Sequence, residues 1–335
     1  MTFGEAAGTA MSTVFAERRS DLVVTAREEP AEGVIALTLA DPKGAPLPAW
    51  TPGAHIDLLL GDNNGDNLVR QYSLCGSLAD QRTWRIGVLL NQNGRGGSRR
   101  VHETLRVGRE VAVRGPRNHF PLHRAPRYVF IAGGIGITPM LPMITVATGA
   151  GADWRLWYGG RSRATMAFLD DLQPHGDRVV VWPEDEQGLV PLAEILGKPQ
   201  ADTLVYCCGP EALLAATEGW CAGWQPGSLH LERFAPKPQI LVAPAGEAAF
   251  DVVCQRSGIT VQVPPGKTII DVLDENGVSV LSSCLEGVCG TCETRVIDGT
   301  PEHRDSLLTE EEREENEYMM ICVSRALSQR LVLDL

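Results

Sequence analysis

Basic residues are in short supply in this chain. Thirty lysines and arginines stand against 42 aspartates and glutamates, a formal net charge of −12 over 335 residues. That balance disfavours nucleic acid and anionic membrane and suits a partner with a basic docking patch. The opening run MTFGEAAGTAMSTVF has neither a basic leader nor a long apolar core, and Arg18 and Arg19 follow it. The expectation is a flexible N-terminus over residues 1–18, with Met11 as an alternative start, and no secretory signal. A paired cysteine framework is also missing: nine cysteines is an odd total, which predicts free thiols and a reducing compartment, the cytoplasm. Residues 128–152 carry no charge over a bilayer-spanning length, yet their glycines and prolines predict a nucleotide loop and a soluble helix instead. There is no internal repeat and no low-complexity tract. At 44% hydrophobic residues the chain is long enough for two or three domains, each with its own core.

What is present is a set of four cysteines. Cys284, Cys289 and Cys292 stand in CLEGVCGTC, and Cys322 follows in MICVS. A [2Fe–2S] cluster needs four converging thiolates, three from one tight loop and one from a distant segment, and C-x4-C-x2-C…C is the plant-type spacing. Gly287 and Gly290 lie between the ligands, where the loop needs backbone freedom. Ser282, Ser283 and Thr291 are candidates for further donors toward sulfur. A structural zinc prefers paired CxxC knuckles, and Cys75, Cys207, Cys208, Cys221 and Cys254 show no ligand spacing.

Before that motif the chain reads as two further modules. Short alternating segments (VIALTLA, HIDLLL, RQYSL, WRIGVLL, EVAVRG) predict an antiparallel β-barrel. From Tyr128 the pattern becomes strand, glycine turn and helix, then WRLWYGG, RVVVWP and TLVYCCG, the alternation of a parallel α/β sheet. The Pro- and Ala-rich APKPQILVAPAGEAA reads as a linker. Beyond it FDVVCQRSG and ITVQVPPG predict a hairpin, TIIDVLDENG a helix, and TRVIDG and RLVLDL later strands, the order of a β-grasp ferredoxin.

In YVFIAGGIGITPM, Gly133, Gly134 and Gly136 let the backbone approach a pyrophosphate, Thr138 is the expected N-cap and Pro139 the first helical residue. Cys208, Gly209 and Pro210 end a later strand, where open α/β sheets bind ligands. The two motifs together place a dinucleotide across one crevice. GGIGITPM with CGP resembles the NAD domain of the ferredoxin–NADP reductase superfamily, and that resemblance implies that Cys208 lies by the nicotinamide carbon that gives up hydride. Cys207 is predicted to point the other way.

Nicotinamide gives two electrons as hydride and the cluster takes one at a time, so an intermediary is required, and flavin is the candidate. RQYSL supplies Arg70 for a phosphate, Tyr72 to stack on the ring and Ser73 to hydrogen-bond near its reactive nitrogen. Gly96, Gly97 and Ser98 in NGRGGSRRVHETL stand at an expected helix start, a second phosphate cradle. From about residue 20 to the end, motifs in all three modules resemble, in order, the phthalate dioxygenase reductase and vanillate demethylase reductase family. The resemblance implies FMN over FAD, and Phe234 in LERF as an aromatic beside the flavin. It divides the chain into an FMN-binding β-barrel domain (19–123), an NAD(P)-binding α/β domain (124–235), a linker (236–248) and a plant-type [2Fe–2S] ferredoxin domain (249–335).

The histidines His55, His102, His119 and His123 have no metal or triad spacing and read as barrel or surface residues. TEEEREENEYMM reads as a solvated helix, with a docking face as the alternative. Arg161 and Arg163 follow the strand whose end usually meets the adenosine ribose, so they either grip a 2′-phosphate or are simply exposed; the family leans to NADH, so NADH is expected with NADPH possible. The chain shows no Rieske ligand set and no haem-thiolate motif, so substrate chemistry is expected on another protein. The family implies a reductase component passing electrons from NAD(P)H through FMN and [2Fe–2S] to a separate Rieske-type oxygenase or demethylase. A haem-thiolate monooxygenase is the alternative partner, and a non-enzymatic iron–sulfur redox sensor the alternative of another class.

Overall fold

The computed structural model describes residues 19–61, 68–92, 94, 96–237 and 247–335. The expected flexible N-terminus and most of the expected linker lie outside the described residues.

Six strands form the first sheet: β1 (Arg19–Ala31), β2 (Val34–Ala40), β3 (His55–Leu59), β4 (Val69–Ser73), β5 (Thr83–Leu89) and β6 (Glu110–Arg117). They are antiparallel in the order β4-β3-β6-β1-β2-β5. A bridge between Leu74 and Ile86 joins the two edge strands and closes the barrel, which removes its open edges. Leu22, Val24, Leu37, Leu39, Ile56, Leu58, Ile86 and Val88 are fully buried within it, each contributing roughly 1.5–3 kcal/mol against exposure.

The second sheet is wholly parallel: β7 (Arg127–Gly133), β8 (Asp153–Gly160), β9 (Val179–Pro183), β10 (Thr203–Cys208) and β11 (Leu229–Glu232), in the order β11-β10-β7-β8-β9. Both faces are covered, as a parallel sheet requires. Phe130, Tyr158 and Tyr206 pack on one face and Ile131, Val205 and Cys207 on the other. The barrel leans on this unit: Arg85 pairs with Asp171 at 3.0 Å and lies over the Phe168 ring, and a Cβ on Gly87 would sit 2.9 Å from Thr138 Cγ2.

The third unit holds β12 (Phe250–Cys254), β13 (Ile259–Val263), β14 (Glu293–Asp298), β15 (Pro301–Glu302), β16 (Tyr318–Met320), β17 (Arg325–Ala326) and β18 (Arg330–Leu333). A mixed sheet runs β13-β12-β18-β14-β16, with β15 and β17 as a separate ribbon. The helix Ile269–Glu275 opens with a capping box, Thr268 accepting from Asp271 N and Asp271 from Thr268 N. Of the acidic stretch, Glu310–Glu315 forms the expected helix and buries no residue, but its end departs from the expected solvated helix: Tyr318–Met320 is a strand whose Met319 and Met320 are fully buried, because they pair with β14 in the core of this unit.

Candidate flavin, nucleotide and cluster site

The four motif cysteines come together. Cys284, Cys289, Cys292 and Cys322 are each 3–4% exposed. Glu286 N donates to Cys284 Sγ at 3.3 Å and Cys284 N to Cys289 Sγ at 3.5 Å, amide contacts that favour thiolates. Cys284 and burial push the Cys289 thiol well above its ordinary range, because crowded thiols ionise together only when cations compensate them. Thr291 Oγ1 lies 3.2 Å from Cys289 Sγ. Among the described residues no group of three or more His, Cys, Asp or Glu is arranged for a single metal ion; a two-iron cluster divides four thiolates between two centres. The donor set therefore fits a [2Fe–2S] cluster.

Ser282 and Ser283, expected to face sulfur, serve another contact. Ser283 Oγ meets Gln71 Nε2 of the barrel, and Ser282 O accepts from Arg114 Nη2 at 2.8 Å. Gly290, at φ 71°, packs so closely that a Cβ there would lie 2.4 Å from His119 Nε2.

On the barrel, β4 carries Arg70, Tyr72 and Ser73. Arg70 Nη1 donates to Val69 O at 2.7 Å, and a Cβ on Gly97 would fall 2.4 Å from Arg70 Nε. The RQYS strand and the glycine turn are thus in contact. Gly96 is the N-cap, at φ 79°, of the helix Gly97–Thr104, whose first amides are free for an anion. Ser98 Oγ accepts from Asn91 N at 3.0 Å, which fixes the approach to that helix. Burial raises the Tyr72 phenol well above its ordinary range, so it stays neutral. Ser73 Oγ is buried with no hydrogen bond of ordinary geometry, and the group it faces is the Glu232 carboxyl; a flavin edge would satisfy such a donor.

The glycine turn departs from expectation at its cap. Gly134–Ile137 is a 3-10 turn and the helix Met140–Gly149 starts later, with Pro139 at the N-cap. Thr138 does not cap that helix: its hydroxyl donates to Ile135 O at 3.0 Å, because the 3-10 turn brings that carbonyl within reach. A Cβ on Gly136 would lie 2.2 Å from Cys208 O, and one on Gly133 2.7 Å from Pro210 Cδ. These two glycines seat the turn against Cys208, Gly209 and Pro210. At Gly134 a Cβ would meet nothing within 4 Å, leaving the backbone open to a pyrophosphate.

Cys207 and Cys208 point to opposite faces, as predicted. Cys207 Sγ meets Thr217 Oγ1 at 3.5 Å, whereas Cys208 Sγ donates to Glu232 Oε2 at 3.8 Å. Burial pushes the Glu232 carboxyl up to about 8, with Cys208 and Ser73 acting in the opposite direction. The sequence reading missed Glu232, although the parallel register pairs it with Cys208 across β10 and β11. Phe234, two residues on, is 46% exposed; a packing residue would be covered. Arg163 is engaged by Glu186 through two contacts, at 2.8 and 3.1 Å. A groove of about 500 Å³ lined by Arg127, Asp153, Arg178 and Thr203 lies at the opposite, N-terminal ends of the strands, away from this chemistry.

A closed antiparallel barrel, a parallel nucleotide sheet and a four-thiol ferredoxin unit define an electron-transfer flavoprotein of the oxidoreductase class. The family model for the 2Fe-2S iron-sulfur cluster binding domain matches residues 252–327. The chain is 43% identical over 307 residues to the phenoxybenzoate dioxygenase subunit beta of Ectopseudomonas oleovorans, covering 91% of this chain and 94% of that one. The solved phthalate dioxygenase reductase, a modular structure for electron transfer from pyridine nucleotides to [2Fe–2S], matches with TM-score 0.67 and 34% identity, covering 96% of this chain and 98% of that one. An intact type IV self-sufficient cytochrome P450 monooxygenase matches with TM-score 0.88 and 44% identity over 95% of this chain, which spans 41% of that longer protein. The chain belongs to the phthalate dioxygenase reductase family. It is an NAD(P)H-dependent flavin and iron–sulfur oxidoreductase with FMN and [2Fe–2S] as cofactors, the reductase component of a multicomponent oxygenase. Among the described residues no helix is long and apolar enough to cross a membrane.

Proposed function

We propose that the chain delivers electrons from NADH to a separate Rieske-type non-haem iron oxygenase in the cytoplasm. The work divides among an FMN barrel (residues 19–123), a nucleotide domain (124–235), a linker (236–248) and a ferredoxin domain (249–335). When bound, FMN accepts hydride from nicotinamide and gives up electrons singly, and the cluster carries one at a time.

Each candidate residue has a place in that division. Arg70 and the helix amides at Gly96, Gly97 and Ser98 would hold the flavin phosphate, Tyr72 would pack on the ring, and the buried Ser73 hydroxyl would donate to its edge. Gly133, Gly134, Gly136, Thr138 and Pro139 form one wall of the nucleotide crevice and Cys208, Gly209 and Pro210 the other. Phe234 would be the aromatic beside the flavin. Cys284, Cys289, Cys292 and Cys322 ligate the cluster. The observation that carries the reading is the convergence of β4, β10 and β11, which brings Ser73, Cys208 and Glu232 together. The Arg163–Glu186 pair supports NADH, since the guanidinium that a 2′-phosphate would need is already engaged by a carboxylate. Nine free thiols agree with a reducing compartment.

A haem-thiolate partner is the second reading, and the 44% identity to the self-sufficient cytochrome P450 favours it. The two separate when NADH-reduced protein is mixed anaerobically with Rieske-type oxygenases and with haem-thiolate monooxygenases. Saturable reoxidation of this chain's cluster by a Rieske-type oxygenase is expected. Saturable transfer to haem alone would replace the first reading with the second.

A further inference from the structure

The strand that carries the flavin motif also carries a contact to the cluster loop. Successive side chains of a strand point to opposite faces, so Gln71 emerges away from Arg70 and Tyr72. Its cross-strand neighbour on β3 is Asp57, which in turn faces Arg114 on β6. Asp57 is fully buried in the middle of the otherwise apolar HIDLLL segment, and a buried carboxylate persists there only if its partners are well placed.

Those partners radiate from it. Gln71 Nε2 reaches Asp57 Oδ1 at 3.1 Å, Arg114 Nε reaches Oδ2 at 2.9 Å, and Arg117 Nη2 reaches Oδ1 at 2.5 Å. Burial would raise the Asp57 carboxyl, but Arg117 and Arg114 hold it below its ordinary range. Two of the three donors also touch the ferredoxin unit. Gln71 meets Ser283 Oγ and Arg114 meets Ser282 O, and both serines directly precede the ligand Cys284. His119 closes the other side of the loop against Gly290, between Cys289 and Cys292.

We infer that Asp57, through Gln71 and Arg114, positions the cluster's ligand loop against the flavin barrel and so sets the geometry of internal electron transfer. These are positioning residues; the assignment rests on the flavin and cluster sites proposed above. In each passage the reduced flavin loses one electron and one ferric iron of the cluster becomes ferrous. Two passages, with the partner reoxidising the cluster between them, consume the pair delivered by one NADH. Gln71 itself has no assigned role at the flavin, because its amide is taken up by Asp57 and Ser283.

The test uses full-length, FMN- and cluster-replete protein carrying Gln71→Ala, Ser283→Ala or both; each removes one side of the contact and spares the Asp57–Arg pairs. In anaerobic stopped flow, flavin bleaching by NADH is expected to keep its rate, while cluster reduction slows roughly tenfold in each single variant, the scale set by small misplacements of reacting groups. The double variant is expected to be no slower than the singles, because coupled partners are not additive. Without NADH, deuterium uptake in the peptide covering residues 279–292 is expected to rise in all three, with the dithionite-reduced cluster's resonance signal unchanged. A merely structural role would lower the melting temperature and leave the ratio of the two rates alone, which would overturn the inference. Unchanged exchange and unchanged cluster reduction would also overturn it. Absence of a cluster signal in the unaltered chain would bring down the site assignment itself, and this inference with it.

Discussion

Cys208 Sγ lies 3.8 Å from Glu232 Oε2, the cysteine buried and the glutamate half-buried, at the carboxyl ends of neighbouring parallel strands. Burial raises the thiol well above its ordinary range and the carboxyl from 4.5 to about 8. Both groups therefore favour their neutral forms near pH 7.

A pH signature follows from Glu232. Between 4.5 and about 8 the unfolded chain releases a proton that the folded chain keeps. The stability this group contributes is full below 4.5 and lost as pH rises through about 8. In flavin-free protein the thermal midpoint of the nucleotide unit is expected to fall over that window. Glu232→Gln, which cannot ionise, is expected to flatten the slope; equal slopes in both proteins would show that Glu232 is not the group responsible.

Cluster and flavin functions are expected to separate by mutation. Cys289→Ser is predicted to abolish the cluster's resonance signal and electron delivery through it, while NADH still bleaches FMN within about twofold of the normal rate, since hydride transfer is a property of the other two units. Loss of bleaching in a folded, FMN-replete variant would contradict this division.

Flavin retention is predicted to depend on Arg70 and on the absence of a side chain at Gly97. Arg70→Ala removes a charged phosphate contact, for which roughly 1.5–3 kcal/mol, or about 10- to 100-fold in FMN affinity, is expected. Gly97→Ala places a methyl 2.4 Å from Arg70 Nε and is predicted to weaken FMN by displacing that side chain. FMN content after dialysis reads both.

Nucleotide choice is expected to follow Glu186. The unaltered chain should use NADH with at least about tenfold higher kcat/KM than NADPH, and Glu186→Gln, which frees the Arg163 fork, should narrow the ratio by about three- to tenfold. An unchanged ratio in steady-state assays would place the determinant elsewhere.

Much of this molecule is legible in the sequence because its motifs are local. Three cluster ligands fall within nine residues, and the barrel and sheet strands announce themselves by alternation and by glycine turns. Glu232 was invisible because its role comes from β11 pairing in register with β10, which brings it to a cysteine 24 positions earlier. Asp57 left a faint signal, one carboxylate in an apolar strand, but its partners Gln71 and Arg114 and their targets Ser283 and Ser282 are separated by 212 and 168 positions. No periodicity reports such contacts. Thr138 went astray for a smaller reason: a 3-10 turn before the helix moved the cap by one residue.

The most direct test of the electron path is an anaerobic titration of the purified chain with NADH, following flavin absorbance together with the cluster's absorbance and paramagnetic resonance. Full reduction near roughly 1.5 equivalents of NADH is predicted, two electrons for the flavin and one for the cluster. Flavin bleaching with no cluster signal, or no response to either NADH or NADPH, would contradict the path from nucleotide through FMN to the four cysteines.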